Sequence, residues 1–323
     1  MQADPFDPSR LAPDVLTALA TMAAAADGKP PLHTLPMPAM RRAYREITTV
    51  LGGDAWPMRE ARDLQADGPL GPIPLRRYLP AAAAAPSAAI VYLHGGGWIL
   101  GDLDSHDKVC RRLAHAAGCA VIAVDYRLAP EHPAPAGPED VLAAIRWLHA
   151  HAAELALDPA RLAVAGDSAG GGLAAMACQA LRGSAVALRA QVLFYPGTDL
   201  SPGGDAFPSR RRNGAVPPLT LELMQAMSGP FLSSGLDPRD PRLSPLQAAD
   251  VSGLPPALVF TAECDALLDD GRLYADALRT AGVPVEYVEL PGMVHGFIEM
   301  AGVLPAAVQA IERSGAFLRE RLA

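Results

Sequence analysis

Short apolar runs alternate with amphipathic stretches along most of this chain. The apolar runs predict buried strands at Ala88–Leu93, Ala120–Tyr126, Arg161–Ala165, Arg189–Phe194, Ala257–Thr261 and Val285–Leu290. Helical periodicity follows them at Ser105–Ala117, Pro138–Leu155, Ala169–Leu181, Asp270–Ala281 and Pro305–Leu322. Such alternation predicts parallel strands joined by crossover helices, with both faces of the sheet covered. Ligands bind such sheets beyond the carboxyl ends of the strands, so we expect catalytic residues just after strand ends.

Three segments depart from this alternation. The run Ile73–Leu79, with a turn near Asp67–Gly71, predicts an edge hairpin. Residues 1–50 contain two helical stretches between proline-rich breaks, each too short to bury a face of its own. Residues 197–245 are irregular, with one helical stretch at Leu219–Met227 and an arginine run at Arg210–Arg212 that we expect on a solvated surface.

Composition narrows the class of protein. The chain has 323 residues, of which 50% are hydrophobic and 19% charged, enough for a large core and too apolar for a disordered state. The formal net charge of −8 disfavours a nucleic-acid partner. The four cysteines form no CxxC pair, and we interpret them as reduced thiols. The N-terminal residues lack a signal-peptide pattern and the apolar runs are too short for a membrane span, so we expect a cytoplasmic protein with no membrane partner.

The pentapeptide Gly166-Asp167-Ser168-Ala169-Gly170 has the GxSxG pattern. It follows a predicted strand and opens a predicted helix, which is the context that a nucleophile turn requires. Glycines allow the tight turn, and the helix N-terminus favours developing negative charge. We therefore predict Ser168 as a nucleophile rather than part of an inert helix start.

A second motif, His94-Gly95-Gly96-Gly97-Trp98, directly follows the first long apolar strand. Successive glycines can direct backbone N–H groups at one oxygen atom, so we predict an oxyanion hole from Gly96, Gly97 and Ala169. A phosphate-binding turn is a weaker interpretation, because no P-loop lysine follows and the spacing is not GxGxxG. His94 and Gly95 are predicted to support this loop.

A serine hydrolase of this layout needs an acid and then a histidine after the serine. Asp265 lies just past the strand Ala257–Thr261. Asp269 and Asp270 compete, although their place at a helix start suits acids of a first turn. The remaining, weaker candidates are Glu263 and Asp199.

The base is predicted from position among eight histidines. Only His295 follows the last predicted strand, on a loop flanked by Gly292 and Gly296 and 30 residues after Asp265. The other histidines lie in helices, in proline-rich loops or in the glycine loop. We predict His295 as general base and then general acid.

Together these motifs resemble the hormone-sensitive-lipase-like branch of the α/β-hydrolase superfamily, the bacterial family IV esterases with HGGGW and GDSAG. The resemblance covers roughly residues 62–322. It extends to the stretches Asp125–Glu131 (DYRLAPE), Ser244–Leu246, Thr261–Asp265 and His295–Phe297. The family pattern also points to Asp265 as the acid, although it often has Tyr at the position of Cys264 and Pro at that of Ala266.

The resemblance implies an α/β-hydrolase fold, with a mostly parallel sheet flanked by helices and a helical cap. Residues 1–50 and 197–245 would form the cap, and residues 51–196 and 246–323 the catalytic core. It further implies a carboxylesterase for short- to medium-chain acyl esters that works through an acyl-enzyme, with no metal or organic cofactor. A homodimer would form through the last strand and the last helix.

Five residues are candidates for the substrate pocket. Three of them come from the two cap segments, namely Met40, Phe207 and Met224, and ordinary packing between those segments is the simpler interpretation for most such side chains. Trp98 adjoins the glycine loop and Tyr195 follows a strand end.

Two other functions stay open at this point. An amidase or acyltransferase could use the same three side chains. A non-catalytic small-ligand receptor of this fold would have lost one of them, whereas Ser168, Asp265 and His295 are all present.

Overall fold

A computed structural model describes residues 3–323 and, at Asp205, the backbone alone. Eight strands form one sheet in the order β1-β2-β4-β3-β5-β6-β7-β8. The strands are β1 (Glu60–Gly68), β2 (Gly71–Leu79), β3 (Ser87–Leu93), β4 (Ala120–Val124), β5 (Leu157–Asp167), β6 (Leu188–Phe194), β7 (Ala257–Cys264) and β8 (Val285–Val294). Strands β3 to β8 are parallel, whereas β2 pairs antiparallel with both β1 and β4. The mostly parallel sheet and its edge hairpin are confirmed.

Helices cover both faces of this sheet. They are α1 (Pro13–Ala25), α2 (Met37–Leu51), α3 (Asp107–Ala117), α4 (Ala136–Ala150), α5 (Ala169–Leu181), α6 (Pro208–Asn213), α7 (Leu221–Phe231), α8 (Leu268–Thr280) and α9 (Pro305–Arg321). Buried side chains of α4, α5 and α8 form one core against the sheet, and those of α1, α3 and α9 form a second core. Because the apolar sides of helices cover both faces of the sheet, the central strands β3 and β4 are buried along their whole length. This burial explains their continuous apolar runs.

Several element boundaries differ from the prediction. Strands β7 and β8 extend beyond their apolar runs and remain paired as far as Cys264 and Val294. Helix α4 begins two residues before Pro138, which the first turn tolerates because its N–H groups have no intrahelical acceptor. Helix α7 begins after Thr220, whose side chain accepts the N–H of Leu223 as a cap.

The segments predicted as cap, residues 1–50 and 197–245, contribute helices α1, α2, α6 and α7. Arg41 of α2 donates to the carbonyls of Ile99 and Ala129 and to Glu131, and so attaches that helix to the loops that follow β3 and β4. The division at residues 50, 196 and 245 stays a prediction. Among the helices of residues 3–323, none combines the length and apolar content needed to cross a bilayer.

Candidate active site

Ser168 occupies a strained turn between β5 and α5. Its backbone angles are φ 53° and ψ −119°, in a region that L-residues rarely adopt. Its N–H donates to the carbonyl of Phe194 on the neighbouring strand at 2.9 Å. A Cβ at Gly170 would lie 2.0 Å from the carbonyl oxygen of Leu93, so only glycine fits there. The turn therefore presents the serine hydroxyl at the carboxyl end of β5.

Ser168, His295 and Asp265 form one chain of hydrogen bonds. Nε2 of His295 lies 2.9 Å from Oγ of Ser168, and Nδ1 of His295 lies 2.7 Å from Oδ2 of Asp265. The three residues follow β5, β8 and β7, so parallel strands bring together side chains that are far apart in sequence. A chain of this kind is what a nucleophile, a base and an orienting acid require.

The surroundings of His295 fix both its orientation and its charge. Burial by itself lowers the pKa of His295, but the Asp265 carboxylate outweighs burial and raises that pKa above its ordinary value. Asp265 is buried, and its other oxygen accepts the N–H of Leu267 at 2.9 Å. The ring of Tyr195 lies against the imidazole, with centroids 4.7 Å apart. Nδ1 of His295 therefore carries a proton for Asp265, which leaves Nε2 to accept one from Ser168.

The glycine loop adjoins the serine. Gly96 (φ 111°) and Gly97 line the same cavity as Ser168. The N–H of Ala169 opens helix α5 and so has no intrahelical acceptor. Backbone N–H groups beside a serine hydroxyl are the kind of donor that an oxyanion hole requires.

The motif histidine His94 lies inside this loop. Its ring stacks on Tyr126 at 4.3 Å, and its Nδ1 lies 2.8 Å from the carbonyl of Gly95. Burial, followed by the nearby His106, lowers the pKa of His94 to about 4, so the ring is neutral at neutral pH. Tyr126, from the DYRLAPE stretch, donates its hydroxyl to the carbonyl of His94.

Two cavities open on Ser168. The first, of about 110 Å³, has a mostly apolar wall from α1, α2 and α7 and their neighbours, including Met22, Leu32, Ile47, Leu219, Leu223 and Met227. The second, of about 190 Å³, mixes apolar and charged side chains, including Trp98, Leu200, Arg210, Met224, Leu267 and Asp270.

The five pocket candidates separate into two groups. Tyr195 lines the first cavity, and Trp98 and Met224 line the second. Met40 and Phe207 are placed elsewhere: Met40 is 2% exposed within the larger apolar core, and the ring of Phe207 packs under the guanidinium of Arg210. Both are therefore packing residues of the cap segments, as the simpler interpretation had it.

Asp270, one of the rival acids, has other contacts, and the expectation for Arg210 was wrong. Asp270 is fully buried and accepts the backbone N–H groups of Thr198 and Asp199. Arg210 was expected on a solvated surface but is 4% exposed and lies 3.0 Å from the Asp270 carboxylate. A buried charge requires a partner, and this ion pair attaches α6 to α8.

Sequence reasoning missed one buried polar cluster beside the site. His106, Asp167 and Glu299 place their ligand-type atoms within 4.8 Å of one another, and Tyr44 donates its hydroxyl to Glu299. Among residues 3–323, these three groups satisfy the spacing expected of metal ligands, and that spacing also suits a hydrogen-bonded network. The signal in the sequence was weak, because a histidine at a helix start is most simply a capping residue.

The comparisons with known proteins agree with this architecture. A family model described as the alpha/beta hydrolase fold matches residues 90–299. Carboxylesterase NlhH of Mycobacterium tuberculosis is 46% identical over 270 residues, which is 81% of this chain and 82% of that protein. An ethyl acetate hydrolase of Pseudomonas putida is 39% identical over 286 residues, 87% of this chain and 89% of its own length.

Solved structures show the same likeness. An α/β-hydrolase enzyme from the metagenome of Lake Arreo, Spain, superposes with a TM-score of 0.91 at 39% identity and covers 97% of this chain and 98% of its own. An esterase of Pyrobaculum calidifontis superposes with a TM-score of 0.88 at 36% identity and covers 97% of this chain and 100% of its own. The chain therefore belongs to the hormone-sensitive-lipase-like branch of the α/β-hydrolase fold family.

Proposed function

We propose that this protein is a carboxylesterase that hydrolyses short- to medium-chain acyl esters through Ser168, His295 and Asp265. The observation that carries the proposal is the hydrogen-bonded chain of these three side chains, opening on two cavities beside a glycine loop. The names of the relatives support the reaction type, because they include carboxylesterase, esterase and ethyl acetate hydrolase.

Acylation begins when Nε2 of His295 takes the proton of the Ser168 hydroxyl. The serine oxygen attacks the ester carbonyl carbon, and the negative charge of the tetrahedral intermediate forms on the former carbonyl oxygen. The N–H groups of Gly96, Gly97 and Ala169 then stabilise that oxyanion. Asp265 stabilises the imidazolium while the charge persists.

Collapse of the intermediate breaks the bond to the alcohol oxygen, which receives the proton from His295. The acyl group is then held as an ester of Ser168. A water molecule gives a proton to His295 and attacks the acyl carbon. This attack forms a second tetrahedral oxyanion. The acid leaves as Ser168 recovers its proton from His295.

The two cavities set the size of the substrate. Both have Ser168, Gly97, Leu219 and Met227 in their walls, so the scissile ester would lie where they meet. One cavity would take the acyl chain and the other the alcohol. Their small volumes favour short and medium chains over long ones.

A series of p-nitrophenyl esters from acetate to palmitate tests this proposal. We expect kcat/KM to peak at short or medium chains and to fall steeply for palmitate, because the cavities cannot enclose a long chain. Leu223→Ala enlarges the first cavity and should move the optimum to a longer or bulkier group, whereas Leu16→Ala on the exposed side of α1 should not. An optimum at palmitate in the unmodified protein would contradict the size argument.

The alternative functions have distinct results in the same assay. Matched p-nitroanilides turned over faster than the esters would favour an amidase, and transfer to an added alcohol in preference to water would favour an acyltransferase. Binding of an ester without release of alcohol would favour a receptor. The cytoplasmic location stays a prediction.

We also propose a homodimer through β8 and α9. Strand β8 ends the order of strands, so within residues 3–323 one of its edges pairs with no further strand and could pair with a second copy. Light scattering during gel filtration should give twice the chain mass of 33.7 kDa. A mass of one chain at tens of micromolar protein would contradict the dimer.

A further inference from the structure

The cluster of His106, Asp167, Glu299 and Tyr44 lies directly beneath the glycine loop and has no part in the proton transfers above. Nε2 of His106 is 2.9 Å from Oε1 of Glu299 and 3.3 Å from Oδ1 of Asp167. His106 and Asp167 are each 1% exposed and Glu299 is 9% exposed. A buried set of two carboxylates needs a compensating charge.

The hydrogen bonds around His106 supply that charge. Oγ of Ser105 donates to the carbonyl of Asp102 at 2.9 Å and lies 2.9 Å from Nδ1 of His106, so Nδ1 carries the proton of that contact. Nε2 faces two carboxylate oxygens and must also carry a proton. The Gly95 N–H lies 3.3 Å from Nε2 and donates to Oδ1 of Asp167, which is nearer at 3.1 Å. His106 is therefore an imidazolium that donates from both nitrogens.

The same distances argue against a metal ion. Nε2 of His106 donates its proton to Oε1 of Glu299 at 2.9 Å, and a protonated ring nitrogen has no lone pair to offer an ion. The carboxylates also have donors of their own: Asp167 accepts the hydroxyl of Tyr92 at 2.7 Å, and Glu299 accepts that of Tyr44. The cluster is therefore a hydrogen-bonded network in which each carboxylate has its own donors.

Each member belongs to a different part of the active site. Asp167 immediately precedes Ser168, and its Oδ1 accepts the N–H of Gly95 at 3.1 Å, which positions the glycine loop. Glu299 follows His295 by four residues. Tyr44 belongs to α2 and, with Glu299 and Asp167, forms part of the wall of the first cavity.

We propose that Tyr44 and Glu299 are positioning residues. Through His106 and Asp167, they couple the position of helix α2 on the core to the geometry of the glycine loop. This inference rests on the proposed Ser168 mechanism. It means that helix α2 influences the chemical step as well as substrate binding. If α2 moves away, Glu299 loses the Tyr44 hydroxyl, the two carboxylates redistribute around His106, and the Gly95 contact of Asp167 shifts.

Tyr44→Phe is the most specific test, because it removes one hydroxyl and keeps the ring that lines the cavity. We expect kcat for p-nitrophenyl acetate to fall about ten-fold with KM changed less than two-fold, since small displacements of oxyanion donors have effects of this size. Tyr287→Phe on β8 is a matched control that removes a hydroxyl bonded to Thr261 at 2.8 Å and to Glu289 at 3.2 Å, and its kcat should equal that of the unmodified protein.

A pH profile separates positioning from simple packing. The groups that face His106 are Asp167, Glu299, Tyr44, Tyr92, His94 and Ser105. Burial lowers the pKa of His106, but the two carboxylates raise it to about 10. Glu299→Gln removes one carboxylate, so the imidazolium should lose its proton at a lower pH, and the alkaline limb of kcat should move to lower pH by at least one unit.

Apart from a fully active Tyr44→Phe protein, three outcomes would overturn the coupling. The first is a Tyr44→Phe protein whose loss is entirely in KM; the second is a Glu299→Gln protein with less activity but an unmoved alkaline limb. The third is loss of activity on dialysis against EDTA with recovery by Zn²⁺, which would assign the cluster to a metal. Ser168→Ala separates failure of the mechanism from failure of the coupling. An active Ser168→Ala protein would refute the proposed mechanism. An inactive Ser168→Ala protein together with a fully active Tyr44→Phe protein would refute only the coupling.

Discussion

Ser168→Ala is expected to lower kcat for p-nitrophenyl butyrate by at least ~10⁴-fold, the largest effect of any single substitution in this chain. The Oγ that would be lost is the atom that His295 contacts at 2.9 Å, and no acyl-enzyme can form without it. The remaining activity would come from the oxyanion donors and from binding alone. The turn itself should persist, because alanine retains the N–H that bonds to Phe194.

The matched control is Ser233→Ala, which removes an exposed serine hydroxyl bonded only locally to the carbonyl of Pro230. Its kcat should match that of the unmodified protein. Equal thermal unfolding of all three proteins would show that the Ser168 effect is chemical. A Ser168→Ala protein with more than a hundredth of the original kcat would contradict the assignment of the nucleophile.

The second large effect is expected for Asp265→Asn, with a fall in kcat of about 10³- to 10⁴-fold. The asparagine keeps the size of the side chain but can present an N–H to Nδ1 of His295. The imidazole would then carry its proton on Nε2 and could no longer accept one from Ser168. Loss of the carboxylate also leaves the imidazolium without its stabilising charge.

This substitution also makes a prediction about pH. In the proposed mechanism the neutral form of His295 is the active one, and Asp265 raises the pKa of His295 above the usual value near 6.5. The acid limb of kcat/KM in the unmodified protein should therefore lie above pH 6.5, and in Asp265→Asn it should move to lower pH. Asp276→Asn, at an exposed aspartate paired with Arg279 on α8, is the control that should move neither limb. An acid limb in the same place for both variants would exclude Asp265 as the acid.

The sequence was sufficient for the features that are local or ordered along the chain. GDSAG and HGGGW each encode a turn whose glycines are required by the backbone. The order of serine, acid and histidine then follows from where parallel strands end, which placed Asp265 and His295 correctly relative to β7 and β8. Boundaries were less exact, because β7 and β8 continue as a pair beyond their apolar runs.

Long-range polar contacts could not be predicted in the same way. Tyr44 and Glu299 are separated by 255 residues, and neither belongs to a motif that requires the other. Arg210 belongs to a run of three arginines, a pattern that predicts a solvated surface, yet its side chain is buried against Asp270. Such pairs depend on how the cap segments pack onto the core, and no local pattern records that packing.

Intact-mass measurement after a rapid acid quench tests the central claim most directly. During turnover of p-nitrophenyl butyrate, the unmodified protein should gain the mass of one butyryl group, and peptide mapping should locate it on Ser168. His295→Ala, in which the general base is absent, and Ser168→Ala should gain none. Butyryl on a residue other than Ser168, or equal labelling of the Ser168→Ala protein, would contradict the account.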